Sequence, residues 1–253
     1  MSVPARDAEI ARARFLELAP EGFEEVELGP RVELVAYTDA AGEARIRAAF
    51  PSARATSVAP DWSERWRAFH DGVQAGGLWI GPPWEEPPVG TPAIVIEPGR
   101  AFGTGAHATT RACVELLADT VRGSLLDAGC GSGVLSVAAA RLGFAPVVAL
   151  DADEVAVETA RANAARNEVE VEAFVVDVLR GSLPNAAALV ANIELRSVER
   201  LLARWDGTVA ITSGYLEHER VRVSGWACEK RRVLEGWAAE RLVRLGAESS
   251  PGI

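Results

Sequence analysis

The chain of 253 residues has few of the features that mark membrane, disulfide-stabilised or metal-binding proteins. No uninterrupted apolar run approaches the roughly 20 residues of a membrane-spanning helix, and the start, MSVPARDAEIARAR, has no apolar segment typical of a signal peptide. We therefore expect a cytoplasmic protein without a membrane partner. Cys113, Cys130 and Cys228 are odd in number, far apart and outside any C-x-x-C pair, which argues against a disulfide framework or a zinc site. The three histidines are equally scattered, so we expect no metal.

The chain also lacks an excess of positive charge. It has 36 acidic and 26 basic residues, a formal net charge of −10. This balance disfavours binding driven by nucleic-acid phosphates, so we expect no direct nucleic-acid specificity. A basic protein substrate would complement the negative charge, although solubility alone also explains it. The remaining composition, 49% hydrophobic and 25% charged, is that of a globular protein with one large domain or a medium and a small one.

From about residue 124, short β-branched runs alternate with amphipathic segments rich in Ala and Arg. Nearly continuous apolar strands joined by helix-length connections predict a parallel sheet covered on both faces, which is a doubly wound α/β domain. The segments CEKRRVLEG and WAAERLVRLG have no helix between them and predict an antiparallel pair at the sheet edge, giving seven strands that are mostly parallel. The predicted strands are 125–129, 147–151, 171–177, 188–193 and 208–214, and the predicted helices are 131–142, 153–166, 195–204 and 215–224.

The first sixty residues have a different pattern, α-β-β-α-β, which predicts a small α+β domain. A short additional strand at 2–5 is compatible with it. The following segment, DWSERWRAFHDG, begins with the helix-capping pair Asp61 and Glu64, and 76–92 is rich in Gly and Pro, so we expect a linker helix and then an extended linker. The predicted elements are helix 6–18, strands 23–28 and 31–37 across Gly29-Pro30, helix 42–49 and strand 53–59, and the predicted domains are 1–58, a linker at 59–90, and 91–253.

Two glycine clusters indicate a ligand-binding site: EPGRAFGTGAHATT at 97–110 and LLDAGCGSGVL at 125–135. In the second, Gly129, Gly131 and Gly133 lie between a predicted strand and a predicted helix. A dinucleotide fingerprint would place its third glycine at position 134, where this chain has Val134. The missing side chains allow a ligand to lie against the backbone at the carboxyl end of the strand.

Acidic residues stand at three predicted strand ends. Asp151, followed by Ala152, comes 22 residues after Gly129 and is placed to accept hydrogen bonds from both hydroxyls of a ribose. Asp177 could accept from an adenine amino group, and Asp127 could face the amino group of an amino-acid moiety. Each aspartate taken singly is better explained as a loop or helix cap, but three at strand ends favour a nucleoside carrying an amino acid. S-adenosyl-L-methionine is such a molecule.

The first glycine cluster precedes a predicted helix at about 107–121 and is predicted to form a lid over this cofactor. Gly103 and Gly105, on either side of Thr104, allow the loop to close, and Phe102 could cover the sulfonium region. Thr110 could hydrogen-bond the methionine moiety. Alternatively, Thr109 or Thr110 only caps the helix.

Four segments, IEPGRAFGTGAHATT, LLDAGCGSGVLSVAAARLG, ALDADEVAVETARANAARN and VANI, resemble the ribosomal protein L11 methyltransferases, and so does the upstream DWSERWRAFHDG…LWIGPPW. These enzymes methylate lysine side chains and the N-terminal amine of that ribosomal protein. The resemblance, from about Asp61 to Gly236, implies a Rossmann-like methyltransferase fold, the L11 protein as substrate, free or ribosome-bound, and cofactor contacts at Thr110, Gly129, Asp151 and Asn192. It places Asn192 beside the methyl group, where the amide oxygen could accept from an incoming amine, and so makes Asn192 the candidate catalytic residue.

The chain departs from the family pattern at two places. The family's N-terminal domain is similar to a ferredoxin-like β-α-β-β-α-β unit that grips the substrate, whereas here almost nothing precedes the first helix. Glu194 stands where the family has small or apolar residues, and it could attract a cationic lysine or simply be the acid of the next helix N-terminus.

Three alternative functions follow from the same residues. One is a methyltransferase of the same fold that acts on another protein or on a small amine. A nucleotide-dependent oxidoreductase is disfavoured by Val134. The retained lid glycines, Thr110 and Asn192 argue against a binding module without activity.

Overall fold

The structure is a computed structural model that describes residues 1–4, 11, 14–15, 18, 24–36, 38, 40–56, 71–97 and 105–246. The chain divides into two compact units, Met1–Arg65 and Trp66–Ile253. The predicted linker helix over 61–70 lies outside the described residues, and so do three of the predicted lid residues, Phe102, Gly103 and Thr104. None of the helices in the described part of the chain is long and apolar enough to cross a membrane.

The first unit contains a three-stranded antiparallel sheet and a helix. Strands β1 (Ser2–Pro4), β2 (Glu24–Leu28) and β3 (Arg31–Val35) pair in the order β1-β3-β2, and helix α1 spans Ala40–Ala49. Gly29, at φ +63°, opens the turn between β2 and β3 as the Gly-Pro signal predicts. Apolar side chains from the sheet, from α1 and from helical residues near the N-terminus form one core, which contains Ala11, Phe15, Val32, Leu34 and Ile46.

The predicted hairpin, second helix and short first strand of this unit are present in the structure. The strand predicted near 53–59 is not: residues 53–56 form no strand, and 57–59 lie outside the described residues. A ferredoxin-like unit needs this fourth strand, so the described residues do not complete that architecture.

The second unit is built on a seven-stranded sheet, whose strands are β7 (Leu125–Ala128), β8 (Val147–Asp151), β9 (Glu172–Val175), β10 (Ala188–Asn192), β11 (Val209–Leu216), β12 (Trp226–Leu234) and β13 (Trp237–Arg244). They lie in the order β12-β13-β11-β10-β7-β8-β9. The five strands β7 to β11 are parallel, and β13 runs antiparallel between β11 and β12. The strand order reverses between β7 and β10, so their carboxyl ends flank the topological switch point where such sheets bind ligands.

Helices cover both faces of this sheet. Successive side chains of β7 enter different cores: Leu125 packs into the core with the helices at 108–118 and 134–141, and Leu126 into the core with the helix at 195–202. This arrangement confirms the predicted doubly wound α/β fold with its mostly parallel seven-stranded sheet and its antiparallel edge pair. The helices are α2 (Ala108–Ala118), α3 (Val134–Arg141), α4 (Glu154–Arg166) and α5 (Leu195–Leu202).

The helix predicted over 215–224 is wrong. Strand β11 continues to Leu216, and the buried Tyr215 hydroxyl lies 2.9 Å from the Thr212 hydroxyl and 3.3 Å from Glu240 Oε2 on β13. Leu216 N–H then donates to the Glu219 carboxylate at 2.7 Å, which closes a turn in place of a helix. The pairing with β13, which local periodicity does not show, keeps Tyr215 and Leu216 in a strand.

Part of the predicted extended linker is also folded. Strands β4 (Val73–Ala75), β5 (Leu78–Gly81) and β6 (Ala93–Val95) form a small sheet in the second unit, and Leu78, Trp79 and Ile80 are buried. Gly76 forms the turn between β4 and β5 at φ +57°, and a Cβ there would lie 2.7 Å from the Val114 carbonyl oxygen of α2. Gly76 therefore allows a tight turn that lies against a helix.

Candidate functional site

The glycine turn after β7 lies at the switch point. Gly129, Gly131 and Gly133 all have positive φ, of +80°, +52° and +77°, and α3 begins at the next residue. A Cβ on Gly129 would lie 2.6 Å from Ile193 Cγ2, and one on Gly133 would lie 2.7 Å from Ala160 Cβ. The turn is therefore closed to larger side chains, and the predicted strand–turn–helix context of the glycine trio is present.

Asp151, at the end of β8, is tied to this turn. Its Oδ2 accepts from Gly131 N–H at 2.9 Å and its Oδ1 from Asp153 N–H at 3.0 Å, while Ala152 between them is exposed. The turn is also joined to β8 by Gly129 N–H, which donates to the Leu150 carbonyl at 2.8 Å. Each carboxylate oxygen keeps a further lone pair, so the fixed carboxylate can still accept from two hydroxyl groups.

Asp177 lies two residues beyond β9. Its Oδ1 accepts from Leu179 N–H at 2.8 Å and its Oδ2 lies 3.6 Å from Arg180 Nη1. These contacts are those of a loop cap, one of the two interpretations of this residue. Val176 N–H donates to the Asp151 carbonyl at 2.7 Å, which holds the end of β9 beside that of β8. The contact of Asp177 with an adenine stays a prediction.

Asp127 points into the protein rather than into solvent and is only 1% exposed. Its Oδ2 accepts from the Ser136 hydroxyl at 2.5 Å, but its buried Oδ1 has no hydrogen-bond partner among the described residues. Burial raises the pKa of the Asp127 carboxyl to about 7, since it penalises the charged form more than the Ser136 hydrogen bond favours it, and the nearby Asp151 charge adds to the increase. This carboxyl can therefore change its charge near neutral pH.

Thr110, on the first turn of α2, presents a second unsatisfied atom. The residue is fully buried, and its Oγ1 has no hydrogen-bond partner within the described part of the chain. An unpaired buried polar atom costs free energy unless a bound molecule satisfies it. Thr110 Oγ1 and Asp127 Oδ1 are therefore two positions where a polar ligand would complete the hydrogen bonding.

Asn192, at the end of β10, is held by α2. Its Nδ2 donates to Thr109 Oγ1 at 3.0 Å, and that hydroxyl lies 2.8 Å from His107 Nδ1. His107 is the N-cap of α2, since its ring nitrogen accepts from Thr109 N–H at 3.3 Å. The helix cap that one interpretation placed at Thr109 or Thr110 is therefore formed two or three residues earlier, by His107. Sequence reasoning missed His107, although it stands directly before the first helical residue.

Gly105, a described glycine of the predicted lid, has φ +93°, and a Cβ on it would collide with the Ile80 side chain of β5. Glycine is therefore required here by close packing as well as by backbone conformation. Closure of the loop over a ligand stays a prediction.

The residues at this edge fit S-adenosyl-L-methionine. Asp151 has free lone pairs beside a turn that admits no side chains, and the two unsatisfied atoms, Asp127 Oδ1 and Thr110 Oγ1, could pair with an ammonium and a carboxylate. Among the described residues, no group of three or more His, Cys, Asp or Glu side chains is placed to hold a metal ion.

The strand order and the glycine turn between β7 and α3 define a Rossmann-like methyltransferase fold. A crystal structure of a ribosomal protein L11 methylase from Lactobacillus delbrueckii subsp. bulgaricus is similar to this chain with a TM-score of 0.60 and 25% identity, over 67% of this chain and 95% of that one. The family model for ribosomal protein L11 methyltransferase (PrmA) matches residues 33–244. The chain therefore belongs to the ribosomal protein L11 methyltransferase family.

Members of the same family are also similar to this chain in sequence. A ribosomal protein L11 methyltransferase from Exiguobacterium sp. is 40% identical over 197 residues, which cover 71% of this chain. One from Symbiobacterium thermophilum is 46% identical over 198 residues, or 76% of this chain. The matched region covers 63% of the length of each of these two relatives.

Proposed function

We propose that the chain is an S-adenosyl-L-methionine-dependent methyltransferase that modifies lysine side-chain and N-terminal amines of ribosomal protein L11. The observation that carries the proposal is the amide of Asn192 at the switch point, held by Thr109 through its nitrogen. That contact leaves the amide oxygen to accept from an amine. The names of the relatives support the choice of substrate.

The cofactor, when bound, supplies a methyl group that its sulfonium has already activated. Asp151 would accept hydrogen bonds from the ribose hydroxyls, and the turn of Gly129, Gly131 and Gly133 would leave room for the nucleoside. Asp127 and Thr110 would hold the amino-acid end. The protein's contribution is then mainly the position of the two reactants.

An amine accepts a methyl group only after it has lost its proton. With an ordinary lysine pKa of about 10.4, keeping the neutral form at pH 7 costs roughly 4–5 kcal/mol. A pocket that excludes water lowers this pKa, and the Asn192 amide oxygen can accept from one of the two N–H groups of the neutral amine. The loop at 97–110 would exclude the water. Ribosomal proteins are synthesised in the cytoplasm, which is where the proposal places the reaction.

Incubation of the chain with labelled S-adenosyl-L-methionine and purified L11 protein tests the proposal. We expect label in L11 in mass steps of one methyl group, mapped by peptide mass spectrometry to lysine or the N-terminus. Binding of the cofactor without label in L11, but with label in another protein of a cell lysate or in a small amine, would favour the alternative substrates. A chain that does not bind the cofactor in calorimetry would contradict the proposal as a whole.

A further inference from the structure

The amide of Asn192 could lie in either of two orientations of nearly the same shape. In the structure its Nδ2 donates to Thr109 Oγ1 at 3.0 Å, and Oγ1 lies 2.8 Å from His107 Nδ1. A flipped amide would fill the same space with Oδ1 in place of Nδ2, so the hydrogen-bond partners alone distinguish the two. The orientation therefore depends on where the Thr109 hydroxyl directs its single hydrogen.

The start of α2 sets that direction. Thr109 N–H, one of the backbone amides without a partner inside the helix, donates to His107 Nδ1 at 3.3 Å. This contact requires the His107 tautomer with its hydrogen on Nε2, and in that tautomer the Nδ1 lone pair accepts from the Thr109 hydroxyl as well. The hydroxyl oxygen is then left to accept from Asn192 Nδ2. A flipped amide would place Oδ1 against an oxygen that has no hydrogen left to donate.

The neighbouring strand and helix restrict the other movements of the Asn192 side chain. Asn192 pairs with Ser213 in the parallel sheet, and Gly214 packs so closely against the Ile193 backbone that a Cβ would collide with it. Thr109 is only 2% exposed, and the His107 ring lies edge-on to Trp237 with 5.1 Å between the ring centroids. Strand and helix are thus fixed, and the Thr109 hydroxyl decides which atom of the amide faces outward.

We propose that Thr109 and His107 are positioning residues for methyl transfer, which hold Asn192 with its Oδ1 toward the incoming amine. The inference rests on the proposed function. Neither residue needs to touch the substrate, because both act through the Asn192 amide. An amide held in this orientation accepts from a neutral amine without having to rotate during the reaction.

The first test needs neither cofactor nor substrate. In the ¹⁵N-labelled full chain, the side-chain amide signal of Asn192 is assigned by its loss in Asn192→Ala. Thr109→Val keeps the shape of the side chain but removes the hydroxyl, so we expect the signal to move toward the position of exposed amides and its protons to exchange faster with solvent. Thr109→Ser should restore the wild-type signal. An unchanged Asn192 signal in Thr109→Val would overturn the proposal.

Thr120→Val is the matched control, since Thr120 is a buried threonine just beyond the other end of α2 whose hydroxyl donates to the Leu116 carbonyl at 2.7 Å. It should leave the Asn192 signal in place. If both variants move the signal equally, the effect comes from a general disturbance of α2 and the proposal fails.

The second test measures methyl transfer to L11. Thr109→Val should lower kcat about tenfold while the Kd for S-adenosyl-L-methionine changes less than twofold, and His107→Asn, which keeps an accepting cap atom, should retain more activity than His107→Ala. A purely structural role would lower stability and leave kcat of the folded enzyme unchanged, which would contradict the proposal. If the wild type transfers no methyl group to L11, the proposed function fails, and the amide signal still decides separately whether Thr109 orients Asn192.

Discussion

The two sides of the switch point hold their polar groups by different means. On the side of β8, the Asp151 carboxylate receives two backbone N–H groups, from Gly131 and Asp153. On the side of β10, the Asn192 amide is held by a side chain, since it donates to the hydroxyl of Thr109. Backbone amides are placed by the fold itself and survive most substitutions, whereas a side-chain contact depends on the residue chosen at each position. We therefore expect the β8 side to set affinity for the nucleoside and the β10 side to set the rate and the choice of acceptor.

The largest effect should come from Asp151→Ala. This change removes the acceptor for two backbone amides and, in the proposed complex, for two ribose hydroxyls, so we expect the affinity for S-adenosyl-L-methionine to fall by several-fold to about a hundredfold. Isothermal titration calorimetry measures the Kd directly.

Asp153→Ala provides the control for this variant. Asp153 caps α4 by accepting from Val155 N–H at 2.9 Å, and its loss should cost about 1 kcal/mol of stability while the Kd stays near that of the wild type. Equal affinity of the Asp151→Ala variant and the wild type would show that the β8 side does not recognise the nucleoside.

Asp127→Asn should affect both stability and affinity. The folded state raises the pKa of Asp127 to about 7, above its usual value near 4, so it binds this proton more tightly than the unfolded state does. The contribution of the proton to stability is complete below about pH 4 and is lost as the pH rises to about 7. Asparagine carries no charge and can still accept from Ser136, so the variant should lose this part of the pH dependence and be more stable than the wild type at pH 8.

Urea unfolding at pH 5 and pH 8 measures this difference. Calorimetry at pH 8 should show about tenfold weaker binding of S-adenosyl-L-methionine to Asp127→Asn, because the carboxylate that would face the ammonium is gone. If Asp127→Asn and the wild type have the same free energy of unfolding at both pH values, burial does not raise the pKa of Asp127 as described. Undiminished affinity would instead remove Asp127 from the proposed site.

Local sequence signals predicted the β8 side better than the β10 side. The glycine trio and Asp151 were predicted from strand–turn–helix spacing, because the residues within a tight turn determine its backbone conformation. The contact of Thr109 with Asn192 joins residues 83 positions apart and depends on how α2 packs against β10, which no local pattern contains. Such contacts appear only once the sheet is assembled.

The same distinction explains the errors in the fold. The segment 215–224 has a helical pattern, but its first two residues, Tyr215 and Leu216, pair with β13. Leu78–Gly81 lies in a Gly- and Pro-rich region but is buried in a small sheet. In both cases tertiary contacts override the local preference: strand pairing with β13 for Tyr215 and Leu216, and burial of Leu78 and Ile80 in the core that contains α2 residues. The centre of the seven-stranded sheet was predictable because β7, β8 and β10 are apolar along most of their length. Helices α3, α4 and α5 also separate β7 from β8, β8 from β9, and β10 from β11.

The smallest effect should come from Glu194, which lies two residues beyond Asn192 on the β10 side. Glu194 is the exposed N-cap residue of α5, and its side chain makes no capping hydrogen bond within the described part of the chain. A negative charge at a helix N-terminus stabilises by about 0.3–1 kcal/mol, so Glu194→Gln should lower the free energy of unfolding by that amount and leave KM for L11 unchanged. If Glu194 instead attracts the cationic lysine, KM should rise two- to threefold at low salt, with the difference shrinking at high salt, while stability stays constant. Denaturation together with kinetics at two salt concentrations separates these outcomes, and a change in KM would extend the acceptor side of the site beyond the Asn192 amide.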